Sequence, residues 1–417
     1  MTLSRRSALA ALATIPFARS LPRSLLIQPN GAAEHIAVVG AGAFGGWTAL
    51  VLRRAGFRVT LLDAHGAGNS RASSGGETRL TRAVYNGTAE YIDMVVRAEA
   101  LWREAERAWD RQLLRRTGAL WLFETEDDAY ARASQPPMAR HGLALDELSP
   151  TEAARRWPQI AFGDLKHIWF EPGAGILLAR TSCAAVAEAL VREGGEYRLA
   201  QVRPGASSGR ALTSLALSDG TTLAADRVVF ACGPWLGGLF PDVIGRRIRS
   251  TRQEMFFFGT AAGDRRFDDT AIPAWANFAD ALYYGMPGNE GRGFKAADDT
   301  LGDEVDPETL ERVVRPESLA RVRDFVARRF PALAQAPIIE TRVCQYEYST
   351  DGDFVVDRHP AWDNVVLAGG GSGHGFKMGP AIGEHIAGVV LGREAVRPRF
   401  ALGRLKDPGA TPAKRRG

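Results

Sequence analysis

Cysteine is scarce and unpaired in this chain of 417 residues, which holds only Cys183, Cys232 and Cys344. An odd number at such wide spacing argues against a disulfide framework, and no C-x-x-C pair offers two thiolates to a metal. The seven histidines are equally dispersed, with neither HxH nor HExxH, so no metal is expected. No apolar run approaches the roughly 20 residues needed to cross a bilayer, so no stable membrane span is expected. Acid is missing from residues 1–33, which carry Arg5, Arg6, Arg19 and Arg23 and no lysine. Those arginines account for the formal net charge of +4 and leave the remainder near neutral. With no basic stripe left over, and only Lys414-Arg415-Arg416 at the far end, nucleic-acid binding is not expected.

Hydrophobic residues make up 45% of the chain and charged residues 24%, the balance of a globular protein with ample material for a core. The length suits one large or two modest domains. Residues 1–33 read as a leader. Ser4-Arg5-Arg6-Ser7 before the apolar run Ala8 to Phe17 resembles a twin-arginine export signal, although no A-x-A cleavage site follows. The expectation is export, to a periplasmic or equivalent location, through the twin-arginine machinery; without a working leader the chain would stay in the cytoplasm.

The most informative stretch is His35 to Asp63, HIAVVGAGAFGGWTALVLRRAGFRVTLLD. A short strand, His35 to Val39, runs into Gly40-Ala41-Gly42-Ala43-Phe44-Gly45. A helix from Trp47 to Arg54 follows, and a second strand from Arg58 to Leu62 ends at Asp63. This strand, GxGxxG, helix, strand and acid order is a dinucleotide-binding fingerprint. Gly40 permits the tight turn, Gly42 lets a pyrophosphate approach the backbone, and Gly45 lets helix and strand pack closely. The helix N-terminus favours the anion. Asp63, 21 residues after Gly42, is placed to bind a ribose hydroxyl.

Further along, Ser73 to Arg82 is a small-residue stretch with two arginines, which on composition reads as a loop. Helical periodicity covers Thr88 to Arg115 and Thr181 to Glu193, with a further helix at Glu317 to Phe330. Ser149-Pro150-Thr151-Glu152 marks a helix start. Strands are expected at Ala119 to Phe123, Tyr197 to Val202, Ser214 to Leu217, Arg227 to Phe230, Arg249 to Phe258 and within Ala281 to Lys295. Cys232 is expected to be a small buried hydrophobe. A second strand–glycine–helix unit closes the chain: Asn364 to Gly371, then Ser372-Gly373-His374-Gly375-Phe376-Lys377, then a helix from Gly379 to Val390. A simple nicotinamide enzyme has no need of this return, whereas a flavin enzyme must hold the isoalloxazine far from the adenosine.

The motifs GAGAFG, GGETRLTR, VCQYEYSTDGDFVVDRHP and GSGHGFKMGP resemble the monomeric sarcosine oxidase and N-methyltryptophan oxidase family of D-amino-acid oxidase-like flavoproteins, over residues 35–400. The resemblance implies an α/β or α+β chain with a Rossmann-like FAD-binding domain and a second, antiparallel-sheet substrate domain. We place the FAD domain at 34–118, 166–245 and 338–400, the substrate domain at 119–165 and 246–337, and a tail at 401–417. It also implies oxidation of a C–N bond in a secondary (N-methyl or cyclic) amino acid or related amine. Hydride passes to FAD, the imine hydrolyses, and reoxidation by O2 gives H2O2. Cys344 matches the cysteine that bonds the flavin covalently, Arg82 and Lys377 the pair that binds the substrate carboxylate, and Lys295 the lysine that promotes oxygen reduction. Arg79 matches the arginine near the ring, and Tyr284 and Tyr346 the tyrosines bordering the substrate. Ser73, Ser74, Thr78, Gly373 and Gly375 would line the cofactor, with Lys377 beside it, and Val202 matches a contact to adenine.

Asp299 stands where sarcosine-specific members carry a histidine, which opens the way to a substrate with a cationic group. Taken alone, Lys295 reads as an exposed strand lysine and Cys344 as a buried small residue. Two alternatives stay open: a dehydrogenase that passes electrons to a quinone or carrier protein, and a flavin-stabilised binding protein without turnover.

Overall fold

The computed structural model of the protein describes residues 34–406; the expected leader and the last part of the expected tail lie outside the described residues. Strand β1 (His35–Val39), helix α1 (Ala43–Arg54) and strand β2 (Arg58–Asp63) form the expected unit. β1 is buried along its whole length because it sits inside a sheet with both faces covered. That six-stranded sheet runs Val355–Arg358, Val365–Gly369, Arg227–Phe230, β1, β2, Glu196–Leu199. All its pairings are parallel except the one that adds Val355–Arg358 at the edge.

The glycines of the first turn have distinct physical duties. Gly40 has φ +106°, and a Cβ there would lie 2.3 Å from the Ala231 carbonyl oxygen. A Cβ at Gly45 would lie 1.9 Å from the Gly40 carbonyl oxygen, so α1 could not pack against its strand. The closing helix, Gly379–Val390, lies against α1, and a Cβ at Gly383 would come within 2.8 Å of the Trp47 Cβ. The two strand–glycine–helix units thus share one sheet and press their helices together, although more than 300 residues separate them in the chain.

The second large sheet has eight strands, in the order Ile338–Ser349, Ile248–Phe258, Phe294–Asp298, Leu282–Met286, Ala274–Phe278, Ala119–Phe123, His167–Glu171, Asp146–Glu147. It is antiparallel apart from the pairing of Ala274–Phe278 with Ala119–Phe123. Helix Pro316–Arg329 covers it, burying Val322, Phe325 and Val326, with Phe325 stacked 5.4 Å from Trp275. A small sheet of β3 (Thr78–Thr81), Gly175–Leu178 and Leu114–Arg115 completes the part of the fold that positions the site.

Several expectations need correction. Ile338–Ser349, expected with the FAD segments, pairs with Ile248–Phe258 through almost all of its length and so belongs to the eight-stranded sheet. His167–Glu171 likewise pairs with Ala119–Phe123. The helix expected from Thr88 to Arg115 is Ala89–Trp109; Asp110 turns left-handed at φ 51°, and Leu114–Arg115 becomes a strand. The arginine-bearing loop contains β3, which pairs with Gly175–Leu178. The strand expected from Tyr197 to Val202 is divided into Glu196–Leu199 and Val202–Pro204, which join different sheets. Residues 401–406 are packed rather than loose: Leu405 is buried and Arg404 donates to the Asp353 and Phe354 carbonyls. Among the described residues no helix is long and apolar enough to cross a membrane.

Candidate active site

A cavity of ≈ 360 Å³ runs along the carboxyl ends of β1 and β2 to the turn after Val365–Gly369. Its walls are rich in backbone without side chains, from Gly40 and Gly42 to Gly369, Gly371, Gly373 and Gly375. The N-terminus of α1 opens onto it at Gly42 and Ala43, with no acidic residue in the first turn and no side-chain cap on Gly42. Free N–H groups and the helix dipole make this end an anion site. Val202 and Arg203 line one region, and Arg79, Tyr346, Gly373 and Phe376 another. Ser74 lies at the helix end, its Oγ accepting from the Ala43 N–H at 3.2 Å, while Ser73 Oγ donates to the Gln345 carbonyl at 2.7 Å.

Asp63 also lines this cavity. Its Oδ2 accepts from the Ala41 N–H at 2.7 Å, and its Oδ1 from the His65 and Gly66 N–H groups at 2.8 Å each. A carboxylate offers about four acceptor positions, so these bonds brace two turns and leave capacity for one hydroxyl. Cys232, expected to be buried, lies partly exposed on the wall. The glycine cradle, the helix end and the braced carboxylate fit the diphosphate and ribose of an FAD.

A smaller cavity of ≈ 60 Å³ adjoins the first and shares Arg79, Tyr346, Gly373 and Phe376 with it. Its lining brings together residues from four distant parts of the chain: Arg82, Tyr284, Asp299 and Lys377. The Arg82 guanidinium lies 4.1 Å from the centroid of the Tyr85 ring and donates to the Val84 carbonyl. Lys377 lies 5.1 Å from the same centroid, and its Nζ donates to the His374 carbonyl at 2.7 Å. Burial, and then the Arg82 charge, hold the Lys377 ammonium well below its ordinary range. The counter-charge is Glu171, which accepts from the Ala83 N–H at 2.5 Å and from Trp121 Nε1 at 3.2 Å. Burial pushes its carboxyl up to about 7 despite those donors and Arg82.

On another wall Tyr284 and Tyr346 join hydroxyl to hydroxyl at 3.1 Å, and Tyr346 donates to Asp299 Oδ1 at 3.3 Å. Burial, with the Asp299 charge contributing, raises both phenols well above their ordinary range, so they remain protonated donors. The small cavity therefore carries two cations that suit a carboxylate and, elsewhere on its wall, a carboxylate that suits a cation.

Four expected residues stand apart from the cavity walls, and one of them, Gly45, serves only the packing of α1 on its strand. Lys295 is buried rather than exposed, and its Nζ donates to the Thr78 carbonyl at 3.0 Å. Thr78 serves through that carbonyl, which ties β3 to the eight-stranded sheet. Cys344 Sγ lies 3.7 Å from Arg79 Nη2. Neither Lys295, Thr78 nor Cys344 lines the two cavities; the Arg79 guanidinium stands beside the thiol and its charge acts on the lysine. The sequence reading also missed Tyr85, Glu171 and Glu347, because nothing in their local sequence signals the distant partners they meet. His374, inside the GSGHGF motif, is buried and bonds the Gly352 carbonyl at 3.0 Å.

The match of residues 35–389 to the FAD dependent oxidoreductase (DAO) model accords with this site, and the chain belongs to that family. It is an FAD-dependent oxidoreductase. It is similar to the monomeric sarcosine oxidase of Bacillus sp. (strain B-0618), at 28% identity over 85% of this chain and 92% of that one. It is 27% identical to the N-methyl-L-tryptophan oxidase of Salmonella newport (strain SL254), over 88% of this chain and 96% of the relative. Among solved structures, the L-proline dehydrogenase of P. horikoshii shares the fold with a TM-score of 0.78 at 20% identity, covering 89% of this chain and 97% of its own.

Proposed function

We propose that the protein oxidises a C–N bond of a small secondary amino acid, N-methylated or cyclic, with oxygen as the final acceptor and hydrogen peroxide as product. The observation that carries this reading is the ≈ 60 Å³ cavity that opens beside the cofactor cavity and presents Arg82 and Lys377 together. FAD supplies the electron-pair acceptor and, on reoxidation, the route to oxygen.

The chain's own residues do the rest. Arg82 and Lys377 take the substrate carboxylate, and their desolvation makes that pairing favourable. Tyr284 and Tyr346 hold the nitrogen end in register by hydrogen bonds, which is the positioning a hydride transfer needs. Asp299 accepts a cationic group of the substrate. Cys344 would hold the flavin through a thioether, its S–C bond replacing the thiol S–H and a ring-methyl C–H bond, with the electron pair passing to the flavin and on to oxygen and the two protons to solvent; Lys295 would supply positive charge for oxygen reduction. The leader directs twin-arginine export, which carries folded, cofactor-loaded protein to the periplasm.

A dehydrogenase feeding a quinone or carrier protein is the second reading, favoured by the burial of Lys295 against the Thr78 carbonyl. One experiment addresses both. N-methyl and cyclic amino acids are mixed anaerobically with the holoenzyme, and loss of flavin absorbance is followed; oxygen is then admitted and peroxide measured. An amino acid that bleaches the flavin and yields stoichiometric peroxide supports the oxidase. Bleaching without rapid return of colour in oxygen supports the dehydrogenase, and no bleaching by any secondary amino acid removes the amine reading.

A further inference from the structure

Glu347 is a carboxylate on the wall of the cofactor cavity that neither the substrate clamp nor the ribose contact explains. It follows Tyr346 on the strand Ile338–Ser349 and packs onto the turn after Val365–Gly369. A Cβ at Gly371 would stand 3.1 Å from its Oε1, and one at Gly369 3.2 Å from its Oε2. The amides of Gly371 and Gly370 face the carboxyl and favour its ionised form. Oε2 is sealed from solvent and has no hydrogen-bond partner, while the side chain keeps partial exposure and lines the cavity. A buried acceptor left unsatisfied is costly, so the position calls for a donor.

Its place along the cavity says which donor. The same cavity holds the end of α1 at Gly42, where a diphosphate belongs. Glu347 adjoins Tyr346, which with Gly373 lies where the two cavities meet and where the flavin ring would face the substrate. The stretch of FAD between diphosphate and ring is the ribityl chain. A diphosphate carries no hydrogen to donate and would repel a carboxylate, whereas each ribityl hydroxyl is a neutral donor.

We propose that Glu347 binds FAD by accepting a hydrogen bond from a ribityl hydroxyl. The inference rests on FAD binding, which family membership establishes, and is independent of the substrate. Burial pushes the Glu347 carboxyl up to about 7, and a hydroxyl donor relieves that penalty.

The test uses flavin-free, full-length protein with Cys344→Ser in the background, so that binding stays reversible. FAD and its 2′-, 3′- and 4′-deoxyribityl analogues are titrated by fluorescence quenching. Glu347→Leu is expected to bind FAD roughly 10- to 100-fold more weakly, the range for one charge-assisted hydrogen bond. One deoxy analogue should bind the Glu347 protein with a similar deficit and lose little more in Glu347→Leu. Glu347→Gln, which keeps the shape and an acceptor, should recover much of the affinity and shows that the turn still folds. Unchanged FAD affinity in Glu347→Leu overturns the proposal. So does an equal loss for FAD and all three analogues, which would mean that Glu347 only supports the turn.

Discussion

The Arg82 guanidinium and the Lys377 ammonium lie against one tyrosine ring, 4.1 and 5.1 Å from the centroid of Tyr85. Arg82 lies just after β3, and Lys377 sits in the turn before the last long helix, so the pair exists only when the small sheet and the second strand–glycine–helix unit are both in place. Two buried cations facing one cavity are tolerable because the ring face, two backbone carbonyls and Glu171 share their charge. They hold capacity for an anion.

The clamp predicts that Arg82→Ala and Lys377→Met each raise the dissociation constant of an amino-acid substrate roughly 10- to 100-fold, one charge-assisted hydrogen bond at about 1.5–3 kcal/mol. Substrate analogues lacking the carboxylate should bind poorly to the unaltered enzyme and be indifferent to either change. Equal binding of the amino acid before and after Arg82→Ala would refute the clamp.

Its pH dependence has a definite sign. Lys377 is held below its ordinary range, so the free enzyme loses that charge as pH rises through the lowered value, and a bound carboxylate favours the charged form. Glu171, pushed up to about 7, gains negative charge over the neutral range. Both effects weaken anion binding as pH rises. Isothermal titration should show proton uptake on substrate binding, with affinity falling toward high pH. Glu171→Gln should remove the neutral-range part of that fall, and Lys377→Met the part that follows the lysine.

The proposed thioether at Cys344 predicts flavin that stays with the protein in acid precipitate and fluoresces on a denaturing gel. Arg79 Nη2 lies 3.7 Å from the Cys344 sulfur, so Arg79→Lys should alter the rate of attachment while leaving initial FAD uptake intact. Recovery of all the flavin in the acid supernatant would exclude the bond.

For Lys295, the expectation is a split between the two half-reactions. A positive charge stabilises negative charge developing on oxygen in a site of low effective dielectric. Lys295→Met should slow oxygen-dependent return of flavin colour on the order of 100-fold, about 2.7 kcal/mol at roughly 1.36 kcal/mol per decade, and change anaerobic bleaching far less. Burial and the Arg79 charge hold this ammonium low, so the oxygen rate should fall with rising pH in the unaltered enzyme only. Stopped-flow traces decide it, and an unchanged oxygen rate in Lys295→Met would favour the dehydrogenase.

Asp299 accepts from Tyr346 at 3.3 Å on the small cavity's wall, and its charge predicts selectivity. Asp299→Asn should lower kcat/KM for substrates with a second cationic group by about tenfold or more relative to neutral ones, the size of one lost charge-assisted bond. A uniform change across both classes would assign Asp299 to holding the tyrosines rather than to recognition.

Local chemistry in the sequence determined a good deal. β1, its glycine turn and the helix Gly379–Val390 were legible because glycine permissiveness, apolar runs and helical period are short-range properties. The motif resemblance named Arg82, Cys344 and Lys377 before any distance was known. Tertiary structure alone decided that Ile338–Ser349 belongs to the eight-stranded sheet, since strand partners are chosen by pairing across distant segments. It alone put Lys295 beneath β3 rather than in solvent, and brought Glu171 to Arg82 and Glu347 to the turn after Val365–Gly369. Burial and charge neighbours are sums over residues far apart in the chain, and they set what each side chain can do.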